Sequence, residues 1–246
     1  MKMMNWLLLF ALSAITVVSF MVPGVEGFQQ PDFARLIFFH VPCAIISFVF
    51  QCMGAWAGFK YLKTRSSDWE IKCASAIEMS CLMAGLTLIT GMMFSKSQWG
   101  AWWQWDPRQT SYLIQFLILC AGLLLRNSLG EENSRKKGFV SYVLIGFLPA
   151  LFLIFVFPRL PHIEQSSFHP SQTLIRGQLD MTYSWVLRGV GILLFCFCLK
   201  IFRLRAHTEI LENKLEEKLD DRNLENTRSS ATFSRLDSTV SIHQKN

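Results

Sequence analysis

The chain has 246 residues, of which 51% are hydrophobic and only 17% are charged. Because soluble domains are typically about one quarter charged, this composition excludes a disordered chain and disfavours an ordinary soluble domain. The charge is unevenly placed: residues 204–246 hold 7 Lys/Arg and 8 Asp/Glu, whereas residues 1–203 hold 17 and 10. The positive charges of the first part lie in short loops between apolar runs, so the basic balance does not indicate a nucleic-acid partner.

Six apolar runs are long enough, or nearly long enough, to cross a bilayer core of about 30 Å, which needs roughly 17–25 residues. Because backbone groups in lipid must be hydrogen-bonded within the chain, we predict that each run is a helix. The runs cover residues 6–22, 36–59, 73–94, 109–125, 139–157 and 184–199. The sequence therefore predicts an all-α fold, a polytopic membrane bundle of six transmembrane helices.

Lysine and arginine near the ends of these runs predict the orientation of the bundle. Eleven of them fall on one side and six on the other, and the positive-inside rule then places both termini in the cytoplasm. The loops at residues 23–35, 95–108 and 158–183 would face outward. The first run has a second interpretation, a secretory signal cleaved after Gly27. We favour a retained helix; cleavage would leave five helices with the later orientations unchanged.

The polar tail has two parts. Residues 209–222 carry three leucines at four-residue spacing among charged residues, which predicts a short amphipathic helix. After Asn223 the chain is rich in Ser, Thr and Asn, a composition typical of disordered segments. We therefore predict two domains, a membrane domain over residues 1–203 and a partly helical cytoplasmic tail over residues 204–246.

The outward loop before the fourth run is unusually rich in tryptophan. Four of the eight tryptophans fall within seven residues: Trp99, Trp102, Trp103 and Trp105. An interfacial aromatic belt would scatter them over several helix ends, whereas clustering in one loop builds a continuous aromatic surface. Such a surface suits a large flat apolar ligand, because each indole offers a π face and one N–H. We favour the binding surface and keep the belt as the alternative.

The end of this loop has the pattern of a helix start. Asp106 is a preferred N-cap residue and Pro107 is favoured at the first helical position, so we predict that the fourth helix begins at Pro107. Asp106 has a purely structural interpretation as that cap. Free N–H groups at the helix start, with Arg108 beside them, could hold an anionic group such as a carboxylate.

Three histidines share the predicted outward side. His40 lies about one turn inside the second run, just before Pro42 and among phenylalanines, where an imidazole is costly unless it is hydrogen-bonded or coordinated. His162 and His169 lie in the last outward loop. Two neutral imidazoles on either side of a haem iron would complete a six-coordinate site. The alternatives are a structural His40 bonded to a neighbouring helix and solvated loop histidines.

These segments resemble a known family. The stretch from Trp99 to Ser111 resembles the tryptophan-rich WWD signature of haem-handling proteins of cytochrome c maturation. Its form, Trp-Gly-x-Trp-Trp-x-Trp-Asp, is similar to the CcmC branch, haem exporter protein C. The phrases His40-Val41-Pro42 and Phe168-His169-Pro170 are also similar to that branch. The likeness covers roughly residues 5–203, matches the six-helix plan and leaves out the tail.

The resemblance implies a multi-pass protein of the bacterial inner membrane that binds haem b at its periplasmic face. It implies partnership with ATP-binding cassette subunits, a small membrane subunit and a periplasmic haem chaperone, to which haem is presented. By the same resemblance His40 and His169 are the axial iron ligands. The haem-presenting loop would comprise Trp99, Trp102, Trp103, Trp105 and Asp106. His162 matches no motif position.

Further expectations concern the propionates and the class of protein. Arg108, with Arg159 or Arg176, is a candidate partner for the haem propionates. The chain has no Cys-x-x-Cys-His motif, so we expect non-covalent haem. Binding and presenting haem requires no bond-making chemistry on this chain, so we do not expect an enzyme. The alternatives are a membrane b-type electron carrier, a small relative of the cytochrome c synthase subunits, and a structural membrane subunit.

Overall fold

The protein is described by a computed structural model over residues 2–24, 28–128, 131–169 and 180–243. All regular structure in these ranges is helical. The helices are α1 (Lys2–Met21), α2 (Ile37–Thr64), α3 (Ser67–Trp99), α4 (Pro107–Arg126), α5 (Glu132–Leu151), the short α6 (Pro161–Gln165) and α7 (Met181–His243). A 3₁₀ turn precedes α2, and α5 continues through a π turn and a 3₁₀ turn as far as Arg159.

Within the described residues, five helical segments are long and apolar enough to span a membrane, so the chain is a helical membrane protein. They are Pro31–Thr64, Ser67–Trp99, Pro107–Arg126, Glu132–Arg159 and Met181–Glu225. The apolar part of α1, Asn5–Met21, is shorter; its 17 residues make a helix of about 25 Å, less than the bilayer core of about 30 Å. The sixth span therefore stays a prediction. The alternative cleavage point after Gly27 lies outside the described residues.

Helices α2 and α3 pack closely because small residues face the partner helix. A Cβ atom on Gly54 would lie only 2.7 Å from Cδ1 of Ile77. Nearer the start of α2, the Ser47 and Ser80 hydroxyls each donate to the other residue's backbone carbonyl at 2.8 Å. These paired bonds satisfy polar groups that lipid could not, and they fix the register of the two helices.

Helix α7 packs against the first half of α2 and against α1. Its Tyr183, Val186 and Val190 form a buried cluster with Phe38 of α2. The Tyr183 hydroxyl donates to the carbonyl of Pro23 at 2.6 Å. This packing leaves Phe38 fully buried and holds the start of α2, where His40 lies.

The connection from α3 to α4, residues 100–106, begins and ends at well-defined residues; together with Trp99 we call it the tryptophan turn. Helix α3 ends at Gly100, whose φ of 83° is the left-handed conformation that glycine adopts at least cost. Helix α4 begins at Pro107, and the Asp106 carboxylate accepts the Arg108 N–H. The predicted cap and helix start are therefore confirmed. Between them Trp105 takes a φ of 55°, which is uncommon for a residue with a side chain.

The chain divides into two compact units, Met1–Arg203 and Leu204–Asn246. In the second unit α7 continues to His243, past Asn223, where the sequence pattern predicts a change from helix to disorder. The chain has no Gly or Pro after Gly191, so nothing in it breaks a helix once begun. The short helix followed by a disordered tail stays a prediction.

Candidate functional site

A cavity of about 160 Å³ lies between α2, α3 and the start of α4. Both predicted ligand histidines line it: His40 comes from α2, and His169 from the segment that follows α6. The other lining residues are Ala44, Thr87, Leu88, Gly91, Met92, Trp103, Arg108, Gln109 and Tyr112. Residues 129 apart in sequence thus meet at one site, and the lining combines apolar side chains with a few polar groups.

The His40 ring is held by α3 through one nitrogen. Its Nδ1 lies 3.1 Å from the carbonyl oxygen of Thr87 and 3.2 Å from Oγ1 of Thr90. The Thr90 hydroxyl itself donates to Leu86 O at 2.7 Å. Because a carbonyl oxygen can only accept, we assign the proton to Nδ1 of His40. The lone pair is then on Nε2, the form of imidazole that binds a metal.

Gly91 gives the His40 ring the space that it occupies. A Cβ atom on Gly91 would lie 2.9 Å from Cε1 and 3.3 Å from Nδ1 of His40. Separations under 3.0 Å are not tolerated without movement, and the ring is fixed by its bond to Thr87. The Cε1 side of the imidazole therefore lies close to the backbone of α3, and any side chain at position 91 would have to displace the ring.

The His169 ring is held in the same way by a carboxylate. Its Nδ1 lies 3.0 Å from Oδ1 of Asp106, and its ring packs edge-on against Trp99 with 5.2 Å between centroids. An ionised carboxylate accepts only, so Nδ1 again carries the proton and Nε2 the lone pair. Both histidines thus have one nitrogen engaged by the protein and one left for a ligand.

Asp106 is fully buried and receives donors from two parts of the chain. Besides His169, it accepts the Arg108 N–H at 2.8 Å, the Ser167 hydroxyl at 2.8 Å and the Phe168 N–H at 2.6 Å. Burial alone would raise the pKa of the Asp106 carboxyl, but His169, Ser167 and the Arg108 N–H together hold that pKa well below its usual range. The side chain is therefore an anion in the folded protein.

The four tryptophans of the predicted haem-presenting loop take three different places. Trp103 lines the cavity, and Trp99 packs against Phe168 and His169 instead. Trp102 and Trp105 lie on the surface, with 58% and 76% of their area exposed. The loop is held by Gln104, whose side chain donates to Trp99 O at 3.0 Å and whose N–H donates to the Gln109 side chain at 3.0 Å.

The candidate propionate partners are held in different ways. Arg108 lines the cavity in the first turn of α4. Arg159 donates to the carbonyls of Ile154 and Phe155 at 3.3 and 2.9 Å. Arg176 lies outside the described residues. His162 is exposed in α6 and is not one of the cavity-lining residues.

The sequence patterns missed several residues of the site. Thr87, Gly91, Gln109 and Tyr112 line the cavity, and the Ser167 hydroxyl donates to the Asp106 carboxylate. One signal was available: Thr87, Thr90 and Gly91 fall close together in a mainly apolar run, and polar residues at membrane depth are functional candidates. The Ser167 contact joins residues 61 apart, which a local pattern does not show.

Fold and site together define a polytopic helical membrane protein with two imidazoles on one cavity beneath a tryptophan-rich turn. A family model described as heme exporter protein C, CcmC, matches residues 1–220. The chain belongs to this family.

Several relatives carry the same description. Heme exporter protein C of Paracoccus denitrificans (strain Pd 1222) is 25% identical over 202 residues, 81% of this chain and 81% of that protein. Heme exporter protein C of Escherichia coli (strain K12) is 26% identical over 217 residues, 82% and 84% of the two chains. A putative cytochrome c biosynthesis ccmC-like mitochondrial protein of Marchantia polymorpha is 34% identical over 98 residues, 40% and 43%.

Proposed function

We propose that this protein binds haem b non-covalently between His40 and His169 and presents it to a periplasmic haem chaperone during cytochrome c maturation. The observation that carries the proposal is the meeting of these two imidazoles at one cavity, each with Nδ1 engaged and Nε2 left for a metal. Metal-binding histidines characteristically donate their second N–H to a carbonyl or carboxylate in this way.

The donor set suits a porphyrin better than a bare ion. Within the described ranges no group of three or more His, Cys, Asp or Glu side chains could hold a metal ion. Two imidazoles are enough for an iron whose four equatorial positions are already filled by a porphyrin, and histidine is a common axial ligand of haem. The site residues thus match a metal that arrives already held by a macrocycle.

The size of the cavity favours haem held at its edge. About 160 Å³ is less than the roughly 300–1,000 Å³ of pockets that enclose drug-sized ligands. Much of the macrocycle would therefore lie outside, against the exposed rings of Trp102 and Trp105, with Trp103 inside. Arg108 is the cavity residue suited to pair with a propionate, since charge-assisted bonds of this kind are strong.

The two ligands differ in how they are held, and this favours transfer over storage. His40 is fixed within α2, whereas His169 lies in a segment outside any helix. A protein that keeps a fixed potential, such as a b-type electron carrier, would gain from two helix-fixed ligands. Because His169 lies outside any helix, it can bind the iron when haem is captured and leave it when haem is released.

Family membership supports the location and the partners that we propose. We place the protein in the bacterial inner membrane, with both termini in the cytoplasm and the tryptophan turn in the periplasm. Its partners would be ATP-binding cassette subunits, a small membrane subunit and the haem chaperone. The proposed role is binding and delivery, with no bond-making chemistry on this chain.

Absorption spectra of the purified full-length protein test the proposal, with His40→Ala and His169→Ala compared with wild type. We expect wild type to show the sharp Soret and α/β bands of six-coordinate low-spin haem, and each variant to lose them. His162→Ala is the matched control and should leave the spectrum unchanged. Wild-type bands in both ligand variants would refute the assignment.

A transfer assay separates delivery from electron transport. Haem-loaded protein is mixed either with the periplasmic haem chaperone in its haem-free form or with a quinone, and the haem is followed by its spectrum. We expect haem to move to the chaperone. Rapid redox exchange with the quinone, without haem transfer, would favour the electron carrier.

A further inference from the structure

Asp106 makes more contacts than a helix cap requires. The cap uses one oxygen, Oδ1, which accepts the Arg108 N–H at 2.8 Å. The other oxygen, Oδ2, serves the His169 side of the site alone: it accepts the Ser167 hydroxyl at 2.8 Å and the Phe168 N–H at 2.6 Å. A residue that only capped α4 would have no need of these contacts.

The same carboxylate also determines which nitrogen of His169 is free. Oδ1 accepts from Nδ1 of His169 at 3.0 Å, and this places the imidazole lone pair on Nε2. The His169 N–H donates to Oγ of Ser167 at 3.2 Å, and that hydroxyl donates to Asp106. Both the backbone and the ring of His169 are therefore held by Asp106, the backbone through Ser167 and the ring directly. A carboxylate behind a metal-binding histidine orients the ring and makes it a stronger base.

We infer that Asp106 is the positioning residue of the second histidine: its buried carboxylate holds residues 167–169 against the start of α4 and orients Nε2 of His169 toward the cavity. The effect on haem rests on the function proposed above. The effect on residues 167–169 does not, because these contacts join only groups of this chain. The acidic residue of the tryptophan turn thus acts through His169 rather than by touching the ligand.

Asp106→Asn separates positioning from capping. Asn is as good an N-cap as Asp, but its amide has one acceptor oxygen where the carboxylate has two. If that oxygen keeps the Arg108 N–H, it also keeps Nδ1 of His169, because both bind Oδ1. The NH₂ group then takes the place of Oδ2 and faces the Phe168 N–H, donor against donor. Residues 167 and 168 lose their carboxylate acceptor, and the neutral amide oxygen leaves Nε2 of His169 a weaker base than a carboxylate does.

The first measurement uses the full-length protein without haem. Hydrogen–deuterium exchange of peptides covering residues 160–169 is compared among wild type, Asp106→Asn and Ser167→Ala, with Ser166→Ala as the matched control. The Ser166 hydroxyl bonds only to Ile163 O, at 2.8 Å, on the exposed side. We expect faster exchange in Asp106→Asn, a smaller increase in Ser167→Ala and none in the control. Wild-type exchange in Asp106→Asn would overturn the inference.

The second measurement uses the same proteins loaded with haem. Loss of a residue behind a metal-binding histidine typically costs 10- to 100-fold in affinity, so we expect a loss of that size for Asp106→Asn. Its low-spin bands should weaken, and added free imidazole should restore them by taking the place of His169. The haem that stays six-coordinate should show a more positive midpoint potential, which a general loss of stability would not produce.

The two measurements distinguish a failure of the proposed function from a failure of the inference about Asp106. If wild type binds no haem, the proposed function fails, and the exchange experiment still decides the role of Asp106. If wild type binds haem and Asp106→Asn matches it in affinity, spectrum and potential, the inference alone fails. Should Asp106→Asn not fold, Ser167→Ala carries the test, because it removes one contact of Oδ2 and leaves the cap intact.

Discussion

At the scale of single residues, the absence of a side chain at one position is as important as the histidines themselves. Gly91 faces the His40 ring so closely that any Cβ atom would meet it at 2.9 Å. The ring cannot simply turn away, because its Nδ1 is bonded to Thr87 O at 3.1 Å. The orientation of Nε2 of His40 therefore depends on Gly91, which has no side chain.

Gly91→Ala should displace the His40 ring and weaken its bond to iron. The expected loss of haem affinity is on the order of tenfold, at the low end for a disturbed metal-binding histidine. Titration of haem into the purified variant, followed in the Soret region, measures it. Gly138→Ala is the control, since nothing lies within 4 Å of the added Cβ there and alanine favours a helix by about 1 kcal/mol. Equal affinities in wild type and Gly91→Ala would contradict this account of the ring.

The sequence pointed to both histidines and to the cap, but it could not show how they are supported. A histidine among phenylalanines and a Trp-rich turn are local patterns. The contact of Asp106 with Ser167 and Phe168, by contrast, is made only when two segments far apart in sequence fold together. Likewise, clustering alone did not indicate that Trp103 lines the cavity while Trp102 and Trp105 stay exposed.

At the scale of helices, α3 and α4 are tied together at both ends. The turn between them is held by Gln104 and by the Ser95 hydroxyl, which donates to Ala101 O at 2.8 Å. At the opposite end, Nε of Arg126 donates to Oε1 of the buried Glu70 at 2.8 Å. Hydropathy predicted this third helix as residues 73–94, whereas α3 is Ser67–Trp99. The additional turns at both ends of α3 carry polar residues. A hydropathy pattern gives no information about the tertiary partners of such residues.

Glu70→Gln should be destabilising. Only 1% of the Glu70 side chain and 17% of Arg126 are exposed, and breaking a buried ion pair from one side typically costs about 3–5 kcal/mol. Because Arg126 keeps its ion pair with Glu78 at 3.8 Å, we expect a loss at the lower end of this range. Thermal unfolding in detergent is the measurement, and the transition should fall well below that of wild type. Glu132→Gln is the control, because its pair with Lys136 is 67% exposed on the Glu side, where such pairs contribute about 0–1 kcal/mol. A Glu70→Gln transition equal to that of the control would refute the expectation.

At the scale of the whole molecule, the cavity is built from residues of the first compact unit. All lining residues of the cavity lie between positions 40 and 169, inside the unit Met1–Arg203. The family model matches only as far as residue 220. Composition predicts disorder after Asn223, and α7 is described as far as His243. Polar composition and the absence of helix-breaking residues after Gly191 point in different directions there, and the disorder stays a prediction.

Removing the last residues should therefore leave haem binding intact. A chain ending at residue 225 keeps every cavity residue and all of the packing between α7 and Phe38. We expect its Soret and α/β bands, and its thermal transition, to match those of the full chain. A chain ending at residue 180 is the contrasting variant, since it loses Tyr183, Val186 and Val190 from that buried cluster. Burying a valine side chain contributes about 1.5–3 kcal/mol, so this shorter chain should lose both its haem bands and its cooperative unfolding. Loss of haem in the longer truncation would show instead that the second unit is required for the site.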